Sequence, residues 1–307
     1  MANRSITSLD GPPPHRPSSG GVGHCRMRRL CLDRAMQPHR IEHFDDPRIA
    51  DYQNLKDAQL ASRRDRFIVE GRGNLLVLLE RSPWPPESLL LSERAWASLS
   101  DRLEALSVDC PVYLAERSVL DEIVGFPIHR GVLACCCRPE PADPLELAAT
   151  LLAKEAAPRI VILEGLTNHD NVGGVFRNAM GLSGRAVMLC PRTADPLYRK
   201  AIRTSMGGSL VVPFARALDL DSMLVGLSEL GFSILALDPA ESGVDLAELS
   251  PEVIGPAAIL LGTEGEGLTE GALARADRRV RIDMDPQVDS LNVSVASAIA
   301  LHRLRLR

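Results

Sequence analysis

Residues 281–304 read R-I-D-M-D-P-Q-V-D-S-L-N-V-S-V-A-S-A-I-A-L-H-R-L and decide the fold of the C-terminal half of the chain. The pattern predicts a strand that ends near Met284, a Pro-Gln loop, and a helix whose first turn carries Ser290 and Asn292. Serine and asparagine often cap helix N-termini, where backbone N–H groups have no partner inside the helix. This turn could therefore hold a polar ligand, or it could simply cap a buried C-terminal helix.

The predicted helix is apolar on nearly every side. Its apolar positions are Val293, Val295, Ala296, Ala298, Ile299, Ala300 and Leu301. A helix of this kind buries more than one face. We expect one face to pack on the helix's own sheet and another to contact a second copy of the chain, which predicts a homodimer through the C-terminal domain.

Upstream of this stretch, apolar runs alternate with helical segments. The runs cover residues 159–165, 186–190, 210–215, 232–238, 257–262 and 279–284, and the helices between them are expected to begin near Asn171, Asp195, Asp219, Leu268 and Ser290. Nearly continuous apolar strands are typical of a parallel sheet that is covered on both faces. The pattern predicts an α/β domain over residues 158–307, and topology rules alone favour a doubly wound sheet.

The first half of the chain divides by composition. Residues 1–38 are rich in Arg, Pro and Gly without periodicity, which predicts a disordered segment. A basic arm for RNA, or a true start at Met36, are alternatives that the sequence leaves open. Residues 39–139 alternate short strands and helices, as a compact α/β domain does, and residues 140–157 predict a linker and a connecting helix.

Composition excludes several classes of protein. No apolar run approaches the roughly 18 residues of a membrane-spanning helix, and no apolar segment of a secretory signal follows the arginine-rich N-terminus. We expect a cytoplasmic protein with no membrane partner. The net charge of −5 argues against indiscriminate nucleic-acid binding, so any nucleic acid would meet local basic patches. The seven cysteines form no C-x-x-C pair, so no metal is predicted, and Cys135 to Cys137 are expected within a buried strand.

The first motif, N-H-D-N-V-G-G-V-F-R-N-A, follows the first strand of the C-terminal domain. Asn171 can cap the helix, and Gly173 and Gly174 let a ligand or a backbone approach closely. The guanidinium of Arg177 suits a nucleic-acid phosphate, although an arginine on a helix often only faces solvent.

The second motif, L-L-G-T-E-G-E-G-L, covers residues 260–268. Three glycines around Glu264 and Glu266 predict a tight loop at the carboxyl end of a strand, where α/β sheets bind ligands. The two carboxylates would repel a phosphate, so the loop suits a neutral or cationic adenine derivative.

Together these motifs resemble the SpoU branch, or TrmH family, of the SPOUT RNA methyltransferases. The resemblance lies in N-x-G-x-x-x-R at residues 171–177, L-G-x-E-G-x-G-L at 261–268 and S-L-N-V-S-V-A at 290–296. The segment R-T-S-M-G-G at 203–208 is similar to a further family stretch. Residues 39–139 resemble the RNA substrate-binding domain that precedes the catalytic domain in many members.

The resemblance implies a deep trefoil knot in the C-terminal domain and S-adenosyl-L-methionine as cofactor. The implied cofactor contacts are Leu237, Gly262, Gly267, Ile282 and Leu291, and the implied catalytic set is Asn171, Arg177, Glu264, Ser290 and Asn292. The implied reaction is methylation of a ribose 2′-hydroxyl in structured RNA, with rRNA favoured over tRNA. Arginine stays protonated, so positioning the substrate phosphate is an easier role for Arg177 than acting as a base.

The chain departs from the family pattern at Asp283, at Pro286 and in the HRG tripeptide at residues 129–131. Two other functions compete with this interpretation. One is a non-catalytic RNA-binding or ribosome-assembly protein that kept the SPOUT fold, which the intact polar residues of the motifs disfavour. The other is a Rossmann-type nucleotide enzyme, which the missing glycine fingerprint after the first strand disfavours.

Overall fold

The computed structural model of the protein describes residues 37–53, 65–124, 131–240 and 242–306. Residues 1–36 of the segment predicted to be disordered lie outside this range, and so do His129 and Arg130 of the HRG tripeptide. Within the described residues, no helix is both long enough and apolar enough to cross a lipid bilayer.

The N-terminal part is built on a five-stranded sheet with the order β1-β4-β3-β5-β2. The strands are β1 (His39–Ile41), β2 (Arg66–Glu70), β3 (Pro86–Ser92), β4 (Val112–Ala115) and β5 (Val132–Cys137), and the helices are a 3-10 helix (Pro47–Tyr52), α1 (Arg72–Arg81), α2 (Glu93–Ala105) and α3 (Arg117–Val124). Strand β5 runs antiparallel to both β2 and β3, whereas β1, β4 and β3 are parallel. The carboxyl ends of β2, β3 and β4 therefore share one edge of the sheet.

The C-terminal part is built on a seven-stranded parallel sheet with the order β10-β12-β9-β11-β6-β7-β8. Its strands are β6 (Arg159–Leu163), β7 (Ala186–Leu189), β8 (Phe214–Arg216), β9 (Ser233–Leu237), β10 (Val244–Asp245), β11 (Ala257–Leu261) and β12 (Arg278–Arg281). Its helices are α4 (Pro144–Leu152), α5 (His169–Gly181), α6 (Arg199–Thr204), α7 (Leu220–Glu229), α8 (Pro251–Ile254), α9 (Glu270–Arg275) and α10 (Val293–Leu304), with 3-10 turns at Gly208–Leu210 and Leu246–Glu248. The predicted α/β class with a parallel C-terminal sheet is confirmed. The trefoil knot depends on chain threading rather than on strand order, and it stays a prediction.

Several predicted boundaries are wrong for identifiable reasons. The helix expected near Asn171 begins at His169 because Asn168 is the cap, and its side chain accepts from the Asp170 N–H. The helix expected near Asp195 begins at Arg199, since the Asp195 carboxylate instead caps a preceding turn through the Leu197 N–H at 2.9 Å. The strand predicted to end near Met284 ends at Arg281.

Two further predicted runs differ in part. The apolar run at 210–215 enters the sheet only at Phe214, because Leu210 lies in a 3-10 turn that is buried against the N-terminal part. In β5, Cys135 and Cys136 are buried as expected, but Cys137 is exposed at the end of the strand. Burial raises the pKa of the Cys135 thiol to about 12, so this thiol stays protonated.

The two sheets share a hydrophobic core. Phe67, Leu75 and Leu91 from the first sheet and its helices lie in one buried cluster with Ile202 and Leu210 of the C-terminal part. A row of edge-to-face aromatic rings continues this contact, from Phe67 to Trp84, from Trp84 to Phe214 and from Phe214 to Phe176. Apolar surface shared in this way opposes hinge motion between the two parts, because separating them would expose it to water.

A buried arginine fixes the end of the last helix. The Arg159 guanidinium, at the start of β6, donates to the carbonyls of Leu304, Ala157, Gly255 and Pro251. It thereby supplies partners to carbonyls at the C-terminus of α10 and beside α8, which would otherwise be unsatisfied. Burial lowers the pKa of Arg159, yet these four acceptors compensate the charge in the absence of a buried carboxylate partner.

Glycines set the packing of α5 against its neighbours. A Cβ at Gly173 would lie 2.6 Å from the Ala201 carbonyl oxygen in α6, and one at Gly174 would lie 2.7 Å from the Ser294 Cβ in α10. The space left by these glycines, which the sequence assigned to a ligand or a backbone, is therefore taken by the protein itself.

We predict that Gly174→Ala lowers the free energy of unfolding by about 1–3 kcal/mol, the usual cost of overpacking. The matched control is Gly181→Ala in the same helix, where a Cβ meets no atom within 4 Å. It should leave stability unchanged or raise it by up to about 1 kcal/mol through helix propensity. Urea unfolding of both variants checks this, and equal effects at the two sites would show that α5 and α10 are not in tight contact.

Candidate active site

Three side chains from distant parts of the sequence meet at the carboxyl edge of the seven-stranded sheet. Asn171 Nδ2 donates to Glu264 Oε1 at 2.7 Å, and Asn292 Nδ2 donates to the same oxygen at 2.9 Å and to Asn171 Oδ1 at 3.0 Å. We call Asn171, Glu264 and Asn292 the polar triangle. One residue comes from each sequence motif, so the fold brings the three motifs together.

Asn171 lies in the first turn of α5 and is only 7% exposed. A buried amide is costly unless it is hydrogen-bonded, and here both its oxygen and its nitrogen have partners. Asn171 therefore orients the triangle and does not cap its own helix, which corrects the capping role expected from sequence.

Asn292 caps α10, as the sequence indicated. Its Oδ1 accepts from the Ser294 N–H at 2.9 Å and from the Ser294 hydroxyl at 2.7 Å, while its Nδ2 faces the triangle. Ser290 precedes the cap, is exposed and lies outside the triangle. The first turn of the helix therefore does not carry Ser290, contrary to the expectation.

Arg177 lies six residues after Asn171 in α5, and its side chain is exposed. It makes no hydrogen bond or ion pair within the described parts of the chain. The backbone beside it is held by the 203–208 segment, since a Cβ at Gly208 would lie 2.8 Å from the Phe176 carbonyl oxygen. The structure thus fixes the base of Arg177 and leaves its guanidinium available to a partner outside the chain.

The loop after β11 is a tight hairpin. Thr263 and Gly267 exchange two backbone hydrogen bonds, and Gly265 and Gly267 have left-handed φ values of +93° and +71°. A Cβ at Gly262 would overlap the Gly267 backbone. These glycines therefore shape the loop that presents Glu264.

A small cavity of about 80 Å³ lies beside the triangle, between the end of β9 and the approach to α10. Its lining residues are Leu237, Asp238, Pro239, Val280, Ile282, Met284, Ser290, Leu291 and Ala296. Three of the five expected cofactor contacts, Leu237, Ile282 and Leu291, line it, whereas Gly262 and Gly267 do not. Small-molecule sites usually measure about 300–1,000 Å³, so this cavity can enclose only part of such a ligand.

Sequence reasoning missed three residues that build this edge. Asn178 Nδ2 donates to the Ser294 carbonyl at 2.5 Å and to the Ser297 hydroxyl at 2.9 Å, and so joins α5 to α10. Glu164 is buried at the end of β6 and accepts from both the backbone and the hydroxyl of Thr269, which anchors the 262–268 loop. Asp238 is the carboxylate of the cavity. A polar residue directly after an apolar strand, as at 164 and 238, is the signal that could have identified two of them.

Charged partners fix the start of α5. Asp170 accepts from Lys200 at 2.7 Å and from the Thr204 hydroxyl at 2.9 Å, and these hydrogen bonds hold the pKa of its carboxyl below the ordinary value. Partial burial lowers the pKa of His169, whose ring packs on Tyr198. His169 is therefore neutral near pH 7.

Within the described residues, no group of three or more His, Cys, Asp or Glu side chains is placed to hold a metal ion. The chemistry of this edge therefore has to be read from amides, carboxylates and an arginine.

Known proteins share both the sequence and the fold. The model of the SpoU rRNA Methylase family matches residues 158–302. A protein of Mycobacterium tuberculosis H37Rv, named as an uncharacterized tRNA/rRNA methyltransferase, is 41% identical over 266 residues, which is 84% of this chain and 88% of the relative. The 23S rRNA (guanosine-2′-O-)-methyltransferase RlmB of Vibrio vulnificus is 32% identical over 187 residues, 60% of this chain and 73% of that protein.

Solved structures match the fold over most of its length. An AdoMet-bound rRNA methyltransferase from Sinorhizobium meliloti has a TM-score of 0.74 at 20% identity, covering 87% of this chain and 97% of the other. The SpoU methyltransferase AviRb from Streptomyces viridochromogenes, in complex with AdoMet, has a TM-score of 0.70 at 20% identity, covering 84% and 97%.

We predict that Asn171 and Asn292 are energetically coupled. In a double-mutant cycle with Asn171→Ala and Asn292→Ala, the double variant should be less destabilised than the sum by about 0.5–1.5 kcal/mol, since either change breaks the same hydrogen bonds. The control pairs Asn171→Ala with Asp219→Ala, the N-cap of α7, which shares no hydrogen bond with the triangle. Denaturant unfolding measures both cycles, and additivity in the first would mean that the triangle contributes nothing as a unit.

Proposed function

This chain belongs to the SpoU rRNA methylase family, and we propose that it transfers a methyl group from S-adenosyl-L-methionine to a ribose 2′-hydroxyl of structured RNA. The observation that carries the proposal is the polar triangle beside an exposed, unpaired Arg177 at the carboxyl edge of the sheet. The family description and the relative that acts on 23S rRNA favour rRNA over tRNA as substrate. A cytoplasmic location is part of the same proposal.

The cavity residues fit part of the proposed methyl donor. Leu237, Ile282 and Leu291 offer apolar surface for a purine ring, and the Asp238 carboxylate can accept from ribose hydroxyls. Gly262 and Gly267 would act by shaping the neighbouring loop rather than by lining the cavity. When bound, the donor supplies an electrophilic methyl group on a sulfonium, which is a good leaving group.

The residues of the chain would prepare the other reactant. A ribose 2′-hydroxyl is barely acidic, so it must be oriented and its proton must find an acceptor. Glu264 Oε1 is occupied by two amides, whereas Oε2 accepts no hydrogen bond from the described residues. Glu264 Oε2 is therefore an available acceptor, and its orientation is fixed by Asn171 and Asn292. Ser290, at the cavity, would add a hydrogen bond to the substrate or the donor.

Arg177 would hold a phosphate of the substrate RNA. Its guanidinium remains charged and offers a planar fork of donors that matches phosphate oxygens. A non-catalytic RNA-binding protein with the same fold is the alternative, and the assembled triangle disfavours it, because RNA binding alone needs no oriented carboxylate.

The division of labour along the chain is also part of the proposal. Residues 39–139 would bind substrate RNA, residues 140–157 would link the parts and residues 158–307 would carry the methyl transfer. Helix α10 would form a homodimer contact, since Val295 and Ile299 lie one turn apart and are 47% and 38% exposed. Apolar side chains on the same helix face are typical of a covered surface.

We predict that Ile299→Glu yields monomers, because a charge placed in an apolar interface loses its hydration without gaining a partner. The control is Val253→Glu, at a valine that is 80% exposed in α8. Light scattering at micromolar concentration should report dimers for the wild type and for the control. A monomeric wild type would remove the dimer from the proposal.

We predict that Arg177→Ala lowers methyl transfer by about a hundredfold or more, the scale of misplacing a reactant, while cofactor affinity stays nearly unchanged. Arg177→Lys should restore little, since an ammonium cannot reproduce the guanidinium fork. The measurements are 2′-O-methyl mapping on transcribed 23S and 16S rRNA and calorimetry with S-adenosyl-L-methionine.

The matched control is Arg185→Ala, an exposed arginine that precedes β7 at the opposite edge of the sheet and pairs with Glu155. It should retain wild-type activity, and both variants should keep the wild-type melting temperature. Full activity of Arg177→Ala would assign that side chain to an idle, solvent-facing position. A wild type that methylates no RNA would overturn the proposed function itself.

A further inference from the structure

Three strands of the N-terminal sheet are each followed, two residues later, by an arginine. Strand β2 ends at Glu70 and is followed by Arg72, β3 ends at Ser92 and is followed by Arg94, and β4 ends at Ala115 and is followed by Arg117. Because these strands run in the same direction, their ends share one edge of the sheet. The repeated spacing therefore places three arginines on that edge.

The three arginines line one open cavity of about 750 Å³, which we call the arginine cleft. All three side chains are exposed. Arg72 donates to the Ser98 hydroxyl at 3.2 Å, whereas Arg94 and Arg117 make no hydrogen bond or ion pair with any residue that the structure describes. Helices α1, α2 and α3 begin at this edge, so their N-termini add partial positive charge.

Two carboxylates, Glu93 and Glu116, also line the cleft. Glu93 is neutralised by an ion pair with Arg40 at 2.7 Å. The local balance is therefore positive in a chain whose net charge is −5. This patch is the kind of local basic surface that an acidic protein needs in order to meet a polyanion.

We propose that the arginine cleft binds the sugar–phosphate backbone of the substrate RNA at a point away from the methylated nucleotide. This inference rests on the proposed function and adds a second contact to the one at Arg177. An extended backbone presents phosphates one after another, and three guanidiniums on three separate chain segments suit such a ligand better than one compact anion. Contacts to phosphates fix the register of a nucleic acid rather than its sequence.

The cleft is held rigidly relative to the triangle. Helix α1 begins at Arg72, and a Cβ at Gly207, just after α6, would lie 2.8 Å from Val77 in α1. The buried ion pair of Glu70 with Arg199 at 3.5 Å ties the end of β2 to the start of α6. Since α6 also packs on α5 through Gly173, a continuous set of contacts joins the cleft to the helix that carries Arg177.

A fixed separation between two RNA contacts has a consequence for specificity. An RNA must present a backbone segment at the cleft and a ribose at the triangle at the same time. Only a folded RNA of the right shape meets both conditions, whereas a short single strand that occupies the triangle gains nothing from the cleft.

The test is a charge-matched pair of triple variants of the full chain. The cleft variant carries Arg72→Gln, Arg94→Gln and Arg117→Gln. The control carries Arg48→Gln, Arg81→Gln and Arg102→Gln, which remove the same charge from exposed positions of the N-terminal part outside the cleft. Each protein is assayed on whole transcribed 23S and 16S rRNA and on a short RNA around the mapped methylation site.

The cleft variant should raise KM for the methylated whole rRNA by roughly tenfold or more and should flatten the dependence of log affinity on log salt by about 0.9 per lost phosphate contact. The kcat, the affinity for S-adenosyl-L-methionine and the KM for the short RNA should stay at wild-type values. The control should change KM less than about twofold, because scattered surface charges contribute little.

Unchanged KM and salt dependence in a wild-type-like folded cleft variant would overturn the inference, while methylation by the wild type would leave the proposed function standing. If the triple variant unfolds, the double variant Arg94→Gln and Arg117→Gln provides the same test, since neither side chain holds a described residue. Polyglutamate is the probe for an acidic protein partner. If the wild type binds polyglutamate through the cleft as tightly as it binds rRNA in the same salt, the RNA assignment is wrong.

Discussion

The close contact between α5 and α10 is the constraint on which the site depends. Gly174 has no side chain, so Ser294 can approach the backbone of α5. Asn178 then bonds Ser294 and Ser297 across the contact. Only at this separation can the amides of Asn171 and Asn292 reach each other and the same carboxylate oxygen. The helix packing is therefore a requirement of the chemistry rather than a background to it.

The other side of α5 extends the same constraint to the N-terminal part. Gly173 allows α6 to pack tightly, and α6 shares a buried core with α1 and the first sheet. Arg159, at the opposite edge, prevents the end of α10 from fraying by binding the Leu304 carbonyl. Both ends of the contact between the helices are thus held by other elements. An enzyme that must place a ribose within hydrogen-bond reach of one carboxylate gains from such rigidity, because small displacements of a reactant cost large factors in rate.

Much of this arrangement was predictable from sequence, and the reasons for the failures are physical. The apolar runs identified the parallel strands because both faces of the sheet are covered. The three motifs contained the triangle, and the cap at Asn292 was readable. The cap of α5 was assigned to Asn171 because Asn168 and Asn171 are equally good capping residues, and only the tertiary position of the helix decides between them. Leu210 was assigned to a strand because its burial against the N-terminal part cannot be read from local periodicity.

The structure also separates two kinds of residue that the motifs present as equivalent. Asn171, Glu264 and Asn292 are bonded to one another before any substrate arrives, so the cost of orienting them is met during folding rather than during binding. Arg177 is exposed and bonded to nothing in the described chain, and a hydrated arginine on a surface costs the fold little. A residue whose partner belongs to the protein is fixed in advance, and one whose partner belongs to the RNA is left free. Arg94 and Arg117 have the second character, which is why the arginine cleft, and not the ion-paired arginines elsewhere, is the surface that matches Arg177.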